Sequence, residues 1–359
     1  AGSFCRIMRR HLGHTIYSAW LYCTDTDTVF WLMNFDRLNH DLPTWADVES
    51  AAHQLAGKAR CTLLLSDTLL DETFGARIFL KCENLQYAGA FKFRGAWNTM
   101  SRLDQAQRSR GVVTHSSGNH AQAVALCGRH LGISTTVVMP TNASHTKRQA
   151  TEDYGALVVA YDPATNKREE ITAALQRKHD YVLVPPFDHP HVIAGQGTAA
   201  RELIEAAAEP LEQLLVPCGG GGLLSGCALS ARALAPHCRV IGVEPEQADD
   251  AARSFRSGCI ERVNNPDTIA DGTRTESLGK ITFAIIQGAV DDIVTVPEAA
   301  IAQAVRLIFD KTRLVVEPSG ALGIAALISG AVPATGRIGI ILSGGNIDRG
   351  LMAALLSDT

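Results

Sequence analysis

The chain has 359 residues, 46% hydrophobic and 19% charged, with a formal net charge of −4. That length exceeds what one hydrophobic core usually supports, so two lobes are expected, and the net acidity argues against nucleic acid or a membrane as the main partner. The nine cysteines contain no C-x-x-C pair, which suggests neither a disulfide framework nor a zinc site and fits a reducing compartment.

Residues 1–40 differ in character from the rest. "AGSFCRIMRRHLGHTIYSAWLYC" carries Arg6, Arg9 and Arg10, no acid before Asp25, and no run long enough to span a bilayer. An organelle transit peptide fits that composition. The following "TDTDTVFWLMNFDRLNH" resembles neither a cleavage region nor a regular element, so the segment reads as an atypical extension and the protein as cytoplasmic. From residue 41 onward strand-like runs alternate with helical patterns: "ARIFLKCE", "GVVTHSS", "STTVVMP", "ALVVAYD", "YVLVPPF", "QLLVPCG", "RVIGVEP", "DDIVTVP" and "RIGIILSGG". Such alternation predicts an α/β fold with parallel sheets covered by helices on both faces. The division expected is a small lobe over 112–187 and a large lobe from 41–111 and 188–359.

Four segments carry chemistry. In "YAGAFKFRGAW", Lys92 stands between Phe91 and Phe93. An ordinary lysine would lay its stem on apolar surface and keep its head wet, whereas a partly buried one has a lowered pKa and enough free amine to attack an aldehyde. "THSSGNHAQAVAL" joins a strand to a helix and offers Ser116, Ser117, Asn119 and several amides to a carboxylate or phenolic oxygen. "VPCGGGGLLSG" also follows a strand and opens a helix, so Gly219, Gly220, Gly221 and Gly222 can turn their amides onto a phosphate. It lacks both the lysine of a nucleotide P-loop and the spacing of a dinucleotide fingerprint. "IILSGGN" places Ser343 at another strand tip, where its hydroxyl could bond a ring nitrogen.

A reactive lysine, a phosphate loop, an anion loop and a strand-end serine together are what pyridoxal phosphate requires. From about residue 41 the chain resembles the fold type II pyridoxal-phosphate enzymes, in the branch of threonine and serine dehydratases, serine racemases and 3-hydroxyaspartate dehydratases. The matching motifs are "GAFKFRGA", "SSGNHAQA", "VIAGQGT", "PCGGGGLLSG", "EPEQADD", "TIADG", "VVEPSGA" and "LSGGN". The resemblance implies two open twisted sheets with the cofactor in the cleft between them.

It also implies roles. Lys92 would carry the cofactor and serve as the base for the substrate's Cα proton. Phe91 would pack against the cofactor ring, with the flanking aromatics shielding the lysine, and Asn119 would bond the ring hydroxyl. Gly219 to Gly222 would hold the phosphate and Ser343 the pyridine nitrogen, with Gly272 and Glu317 also in the cofactor site. A serine partner does not keep that nitrogen protonated, which favours loss of a 3-hydroxyl. Ser116, Ser117, Gly118 and His120 would meet the substrate. Ser117, where dedicated threonine dehydratases have alanine, could return a proton on the far face with inversion. The substrate is expected to be a 3-hydroxy amino acid, and a dicarboxylic one would need a cation, for which His115 and Arg168 are the candidates. Glu244, the Ala248 carbonyl and Asp250 would bind magnesium, calcium or manganese. A homodimer is expected, without a regulatory domain after residue 359.

Two departures stand out. "TIADGTRTESLG" is one residue longer between Gly272 and Gly279 than the pattern, and "CTLLLSD" lacks the proline that often follows Thr62. The reading is therefore a lyase that converts a 3-hydroxy amino acid to a 2-oxo acid and ammonia. The alternative is an amino-acid racemase with side elimination. A sulfhydrylase-type synthase would carry "TSGNTG" in place of "SSGNHA", and a non-catalytic binding protein would not need Lys92, Asn119, the glycine loop and Ser343 together.

Overall fold

The computed structural model describes residues 42–357; the extension expected over 1–40 lies outside the described residues. Ten strands form two sheets. The larger has the order β1-β2-β10-β7-β8-β9, with β1 Leu64–Ser66, β2 Arg77–Cys82, β7 Gln213–Pro217, β8 Arg239–Pro245, β9 Asp292–Val296 and β10 Arg337–Leu342. The smaller has the order β5-β4-β3-β6, with β3 Val112–His115, β4 Thr135–Pro140, β5 Leu157–Tyr161 and β6 Val182–Leu183. All nine runs read from the sequence are strands. The tenth, β1, is an addition, and it pairs antiparallel with β2 (Leu64 opposite Lys81), so the larger sheet is parallel except at that edge.

The central strands β7 and β10 bury both faces, which is why they read as continuous apolar runs without alternation. One core lies on each side of the larger sheet: Leu80, Leu215, Ile301 and Ile340 on one face, Leu214, Val216, Leu224 and Ile341 on the other. A third core joins the helix Lys92–Met100 to the smaller sheet, because Phe93, Trp97 and Met100 pack with Val112, Val124 and Cys127. The same helix touches Pro190–Ala206 on its other flank. There a Cβ on Gly195 would lie 2.7 Å from the carbonyl oxygen of Arg94, so only glycine lets the two backbones meet. The helix carrying Lys92 is thus clamped between the two sheets.

Candidate active site

The strand ends of both sheets face one cavity of about 120 Å³. Phe91 and Lys92 enter it from the start of the helix Lys92–Met100, whose entry is stapled to β10. The Phe91 amide donates to the Ser343 carbonyl (3.0 Å), and Ala90 forms a β-bridge with Gly344. Two backbone contacts therefore fix Lys92 relative to the strand-end serine.

Lys92 Nζ donates to the Pro186 carbonyl at 2.7 Å and lies 5.0 Å from the centre of the Phe91 ring. Burial draws the ammonium down from 10.5 to about 8, against the opposing pull of Glu317. The aromatic flank is one-sided. Phe93 faces away from the cavity, buried against Tyr87 and Trp97 with ring centres 5.2 and 5.7 Å apart, so of the two flanking phenylalanines Phe91 is the one that faces the lysine. Two residues along a helix turn the side chain through about 200°, which residue-by-residue inspection of "FKF" does not register.

Arg94 fastens the same helix from beneath. Its guanidinium is fully buried and forks onto two carboxylates: Nε and Nη2 to Glu83 (2.7 and 2.8 Å), Nη1 and Nη2 to Glu202 (2.6 and 2.8 Å). Lys81 Nζ meets Glu202 at 2.6 Å, so two cations balance two anions.

The glycine loop follows β7 and opens the helix Gly222–Leu234. Gly221 caps it at φ +86°, a conformation that suits glycine. A Cβ on Gly220 would sit 2.4 Å from the Phe187 ring, so backbone alone fits there. Thr282 Oγ1 donates to the Gly220 carbonyl at 2.8 Å. The Asp188 carboxylate accepts the amides of Lys280, Ile281 and Thr282, tying the segment after Pro186 to the helix Lys280–Ala289. The first amides of the helix Gly222–Leu234 lack partners within it and lie at the positive end of its dipole, which suits a phosphate.

Ser116, Ser117, Gly118, Asn119 and His120 line the cavity from β3 and the helix Asn119–Leu131, as do His115, Arg168, Gly272, Glu317 and Ser343. The structure thus gathers every expected cofactor and substrate residue. Asn119 donates its amide to Glu317 Oε1, and Ser343 Oγ donates to the Ser319 carbonyl at 3.4 Å. His120 bonds the Val184 carbonyl through Nε2. Burial brings His120 to about 3 and His115 to about 4, and Lys92 and Arg168 respectively push in the same direction. His115 is held toward the neutral form by partial burial first and Arg168 second, with Glu169 opposing, and it lines the cavity wall together with Arg168, the other candidate to meet a second carboxylate. Arg168 Nε pairs with Glu169 Oε1 at 2.7 Å.

Lys147, Phe187, Asp271, Arg274, Thr275 and Ser319 line the same cavity and were not among the expected site residues. Asp271 and Ser319 lie inside matched motifs, so the motif was legible though the individual residue was not. Lys147 and Phe187 carry no signal. One sits in a polar helix resembling any solvated face, the other after a strand. Arg274 and Thr275 belong to the longer loop after Gly272, which reaches the cavity wall.

Residues 57–344 match the family of pyridoxal-phosphate dependent enzymes. The chain belongs to that family. It is 50% identical to the L-threo-3-hydroxyaspartate ammonia-lyase of Pseudomonas sp, a match that spans 88% of this chain and 99% of the relative. It is 47% identical to the serine racemase of Schizosaccharomyces pombe, across 88% and 98%. The solved structure of maize serine racemase superposes with a TM-score of 0.84 at 39% identity, covering 87% of this chain and 96% of that one. The cavity suits the family's cofactor: a lysine with a lowered pKa, a backbone cradle that admits no side chain, and a serine at a strand end stand around one space.

The expected cation ligands lie apart from the cavity. Glu244 is the penultimate residue of β8, Ala248 closes the turn Glu246–Ala248, and Asp250 begins the helix Asp250–Ser257. Glu244 and Asp250 are each 1% exposed. Glu244 Oε1 accepts the Ala252 amide at 2.7 Å, while Glu244 Oε2 and Asp250 Oδ2 are buried without a partner. Burial pushes Glu244 well above the carboxylate range and Asp250 up to about 7, and neighbouring carboxylates add to the effect. Two buried carboxylates with orphaned oxygens suit a bound cation. Among the described residues no cluster of three or more His, Cys, Asp or Glu side chains is present, so carbonyls and water would complete the shell.

Proposed function

We propose that this protein is a pyridoxal-phosphate ammonia-lyase that converts a 3-hydroxy amino acid, with threo-3-hydroxyaspartate foremost, to a 2-oxo acid and ammonia. The observation that carries the reading is the Lys92 amine, drawn down to about 8 and held on the Pro186 carbonyl in a cavity lined by the glycine loop, Asn119 and Ser343. The 50% identity to a curated ammonia-lyase supports the substrate class. Bound here, pyridoxal phosphate would withdraw electrons from the substrate's Cα and so labilise first its proton and then the 3-hydroxyl.

The chain's own residues do the rest. Gly219 to Gly222 bind the phosphate, Asn119 the ring hydroxyl and Ser343 the ring nitrogen; Gly272 and Glu317 close the wall. Lys92 Nζ takes the Cα proton as a free amine, a form that its lowered pKa makes available near neutrality. Ser116, Ser117, Gly118 and His120 orient the substrate's carboxylate. Ser117 Oγ also offers a proton donor for inversion at Cα, which is the feature that favours racemisation as a second activity. Release of 2-oxo acid measured on 3-hydroxyaspartate, serine and threonine, in both configurations, tests the reading. No release from any of them, with inversion of serine, would make racemisation the main activity.

For a dicarboxylic substrate Arg168 is the favoured partner of the second carboxylate, because its guanidinium can fork onto it, with His115 on the same cavity wall as the other candidate. Arg168→Ala should then lower kcat/KM for 3-hydroxyaspartate roughly 100-fold, about the worth of one charged hydrogen-bonded contact, and leave serine and threonine within about threefold. Equal losses on all three would make Arg168 a structural residue and shift the assignment toward serine.

A divalent cation at Glu244, the Ala248 carbonyl and Asp250 would serve stability and not the chemical step. Magnesium, calcium or manganese at one hundred times Kd should stabilise the protein by about 2.7 kcal/mol, seen as a rise in Tm that chelation reverses. Asp250→Asn should abolish that response. A Tm indifferent to ions and chelators in both proteins removes the site.

A homodimer would cover Leu85, Tyr87 and Val315, exposed apolar side chains on segments that meet at Asn84. Cys61, Cys82, Cys127, Cys218, Cys227 and Cys238 form no disulfide, in keeping with a reducing, cytoplasmic location. No described helix is long and apolar enough to cross a membrane.

A further inference from the structure

Lys147 enters the cavity from the helix His145–Asp153, on the side of the smaller sheet. Its stem passes Gly118, where a Cβ would lie 3.4 Å from its Cδ. Its ammonium reaches across the cleft to Asp271 Oδ2 at 2.6 Å and Glu317 Oε2 at 3.4 Å, and the side chain is only 6% exposed. Glu317, 1% exposed, uses its other oxygen to accept the Asn119 Nδ2–H. Asn119 Oδ1 accepts from Asn346 Nδ2 at 3.0 Å, and Asn346 is anchored through the same nitrogen on the Ala88 carbonyl at 2.7 Å.

An amide has one donating and one accepting end. With an ionised carboxylate on one side and a donor on the other, Asn119 has one satisfactory orientation: nitrogen to Glu317, oxygen to Asn346. The second hydrogen of Nδ2 is then left for a ligand. The arrangement holds only while Glu317 is an acceptor. Were Glu317 protonated, its hydroxyl would compete to donate and the amide could turn over. The charged groups that face Glu317 are Lys147, Asp271 from the turn Asp271–Thr273 and Lys92 from its own helix, and of these Lys147 makes the ion pair.

We propose that Lys147 is a positioning residue for the cofactor: by keeping Glu317 ionised it fixes the Asn119 amide with one N–H directed at the ring hydroxyl. The inference rests on reading the cavity as a pyridoxal-phosphate site and adds to that reading a residue unmarked by any motif. Buried, Glu317 is pushed up from the usual carboxylate range, and the Lys147 charge is the chief influence holding it down. Burial opposes the charge on Lys147 in turn, yet Glu317 and Asp271 together raise its pKa above 10.5.

The sign of the pH effect follows. Without Lys147, Glu317 has a still higher folded pKa, and a carboxyl raised on folding contributes stability in acid that is lost as pH rises through that value. The stability deficit of Lys147→Met should therefore be small at mildly acidic pH and grow toward mildly alkaline pH. Loss of stem packing alone would give a deficit independent of pH. Two measurements test this: urea unfolding of the apoprotein across that range, and the dissociation constant for pyridoxal phosphate from quenching of intrinsic fluorescence. The proposal expects the growing deficit, a Kd raised about tenfold, and a flattened pH dependence in the double variant with Glu317→Gln. A pH-independent deficit, an unchanged Kd, or a pH dependence that survives in the double variant overturns it. If Lys147→Met alone does not fold, recovery of folding in the double variant supports the proposal and its absence overturns it. Wild-type protein that binds no pyridoxal phosphate would defeat the functional reading instead, while the apoprotein pH series would still report on the ion pair.

Discussion

Lys92→Ala should abolish the visible absorbance band of the cofactor-loaded protein and lower kcat by about 10³-fold or more, toward the upper range for loss of a positioned proton-transfer group. The same substitution should leave the protein no less stable near neutral pH. Lys92 is lowered on folding from 10.5 to about 8, so between those values the unfolded chain binds the proton that the folded chain releases. Stability consequently rises with pH through that window, and below it the buried charge costs the native state its full desolvation. Alanine removes that cost, offset in part by the lost hydrogen bond to Pro186. Loss of function combined with an unchanged or higher Tm is the signature of a site residue held in an unfavourable state for chemistry. A variant that keeps the band, or that unfolds well below wild type, would take Lys92 out of this role.

Arg94→Met should have the largest effect on stability. It leaves the fully buried Glu83 and the partly exposed Glu202 facing each other where a doubly forked guanidinium had satisfied both. Removing one partner from a buried ion cluster costs about 3–5 kcal/mol, or roughly 10 °C in Tm for a chain of this size. Glu202 retains Lys81 at 2.6 Å, and Glu83 retains the Thr62 hydroxyl at 2.5 Å, so the loss falls mainly on Glu83. Burial opposes the Arg94 charge, and the two carboxylates more than offset it. Arg94→Lys should fall between the two, because a point charge satisfies one carboxylate and cannot reproduce the planar fork. Unfolding in urea measures both variants. A midpoint for Arg94→Met within error of wild type would mean that the cluster contributes nothing to the folded state.

The two residues sit two positions apart in "FKFRG" and have opposite fates, one facing the cavity and one the core. Both are cations beside aromatics in the sequence, and neither composition nor spacing separates them. Only the packing of the helix Lys92–Met100 between the sheets does.

What the sequence by itself determined was whatever depends on backbone conformation and local pattern. The nine parallel strands were legible because strands buried on both faces must be continuously apolar and must end in residues that can turn. The glycine loop was legible because amides can converge on an anion only where side chains are absent, and the serine and asparagine loops because they join a strand to a helix at the edge where such sheets bind ligands. The motifs of a large family then assigned roles that periodicity could not.

What only the tertiary structure decided depends on distance between segments remote in the chain. The antiparallel β1 is three residues long and carries no alternation to read. Phe93 turned away from Lys92 because helix rotation, not adjacency, sets direction. His115 meets Arg168, 53 positions later in the sequence (168 − 115), only because the fold brings both to one cavity, where burial and the guanidinium disfavour the charged imidazole. Lys147 meets Glu317 across 170 residues and Asp271 across 124, and its own neighbourhood, "SHTKRQ", resembles a solvated helix face. Its charge became informative only when the fold buried its ammonium against Glu317, since an ion pair is worth little in water and more where water is excluded.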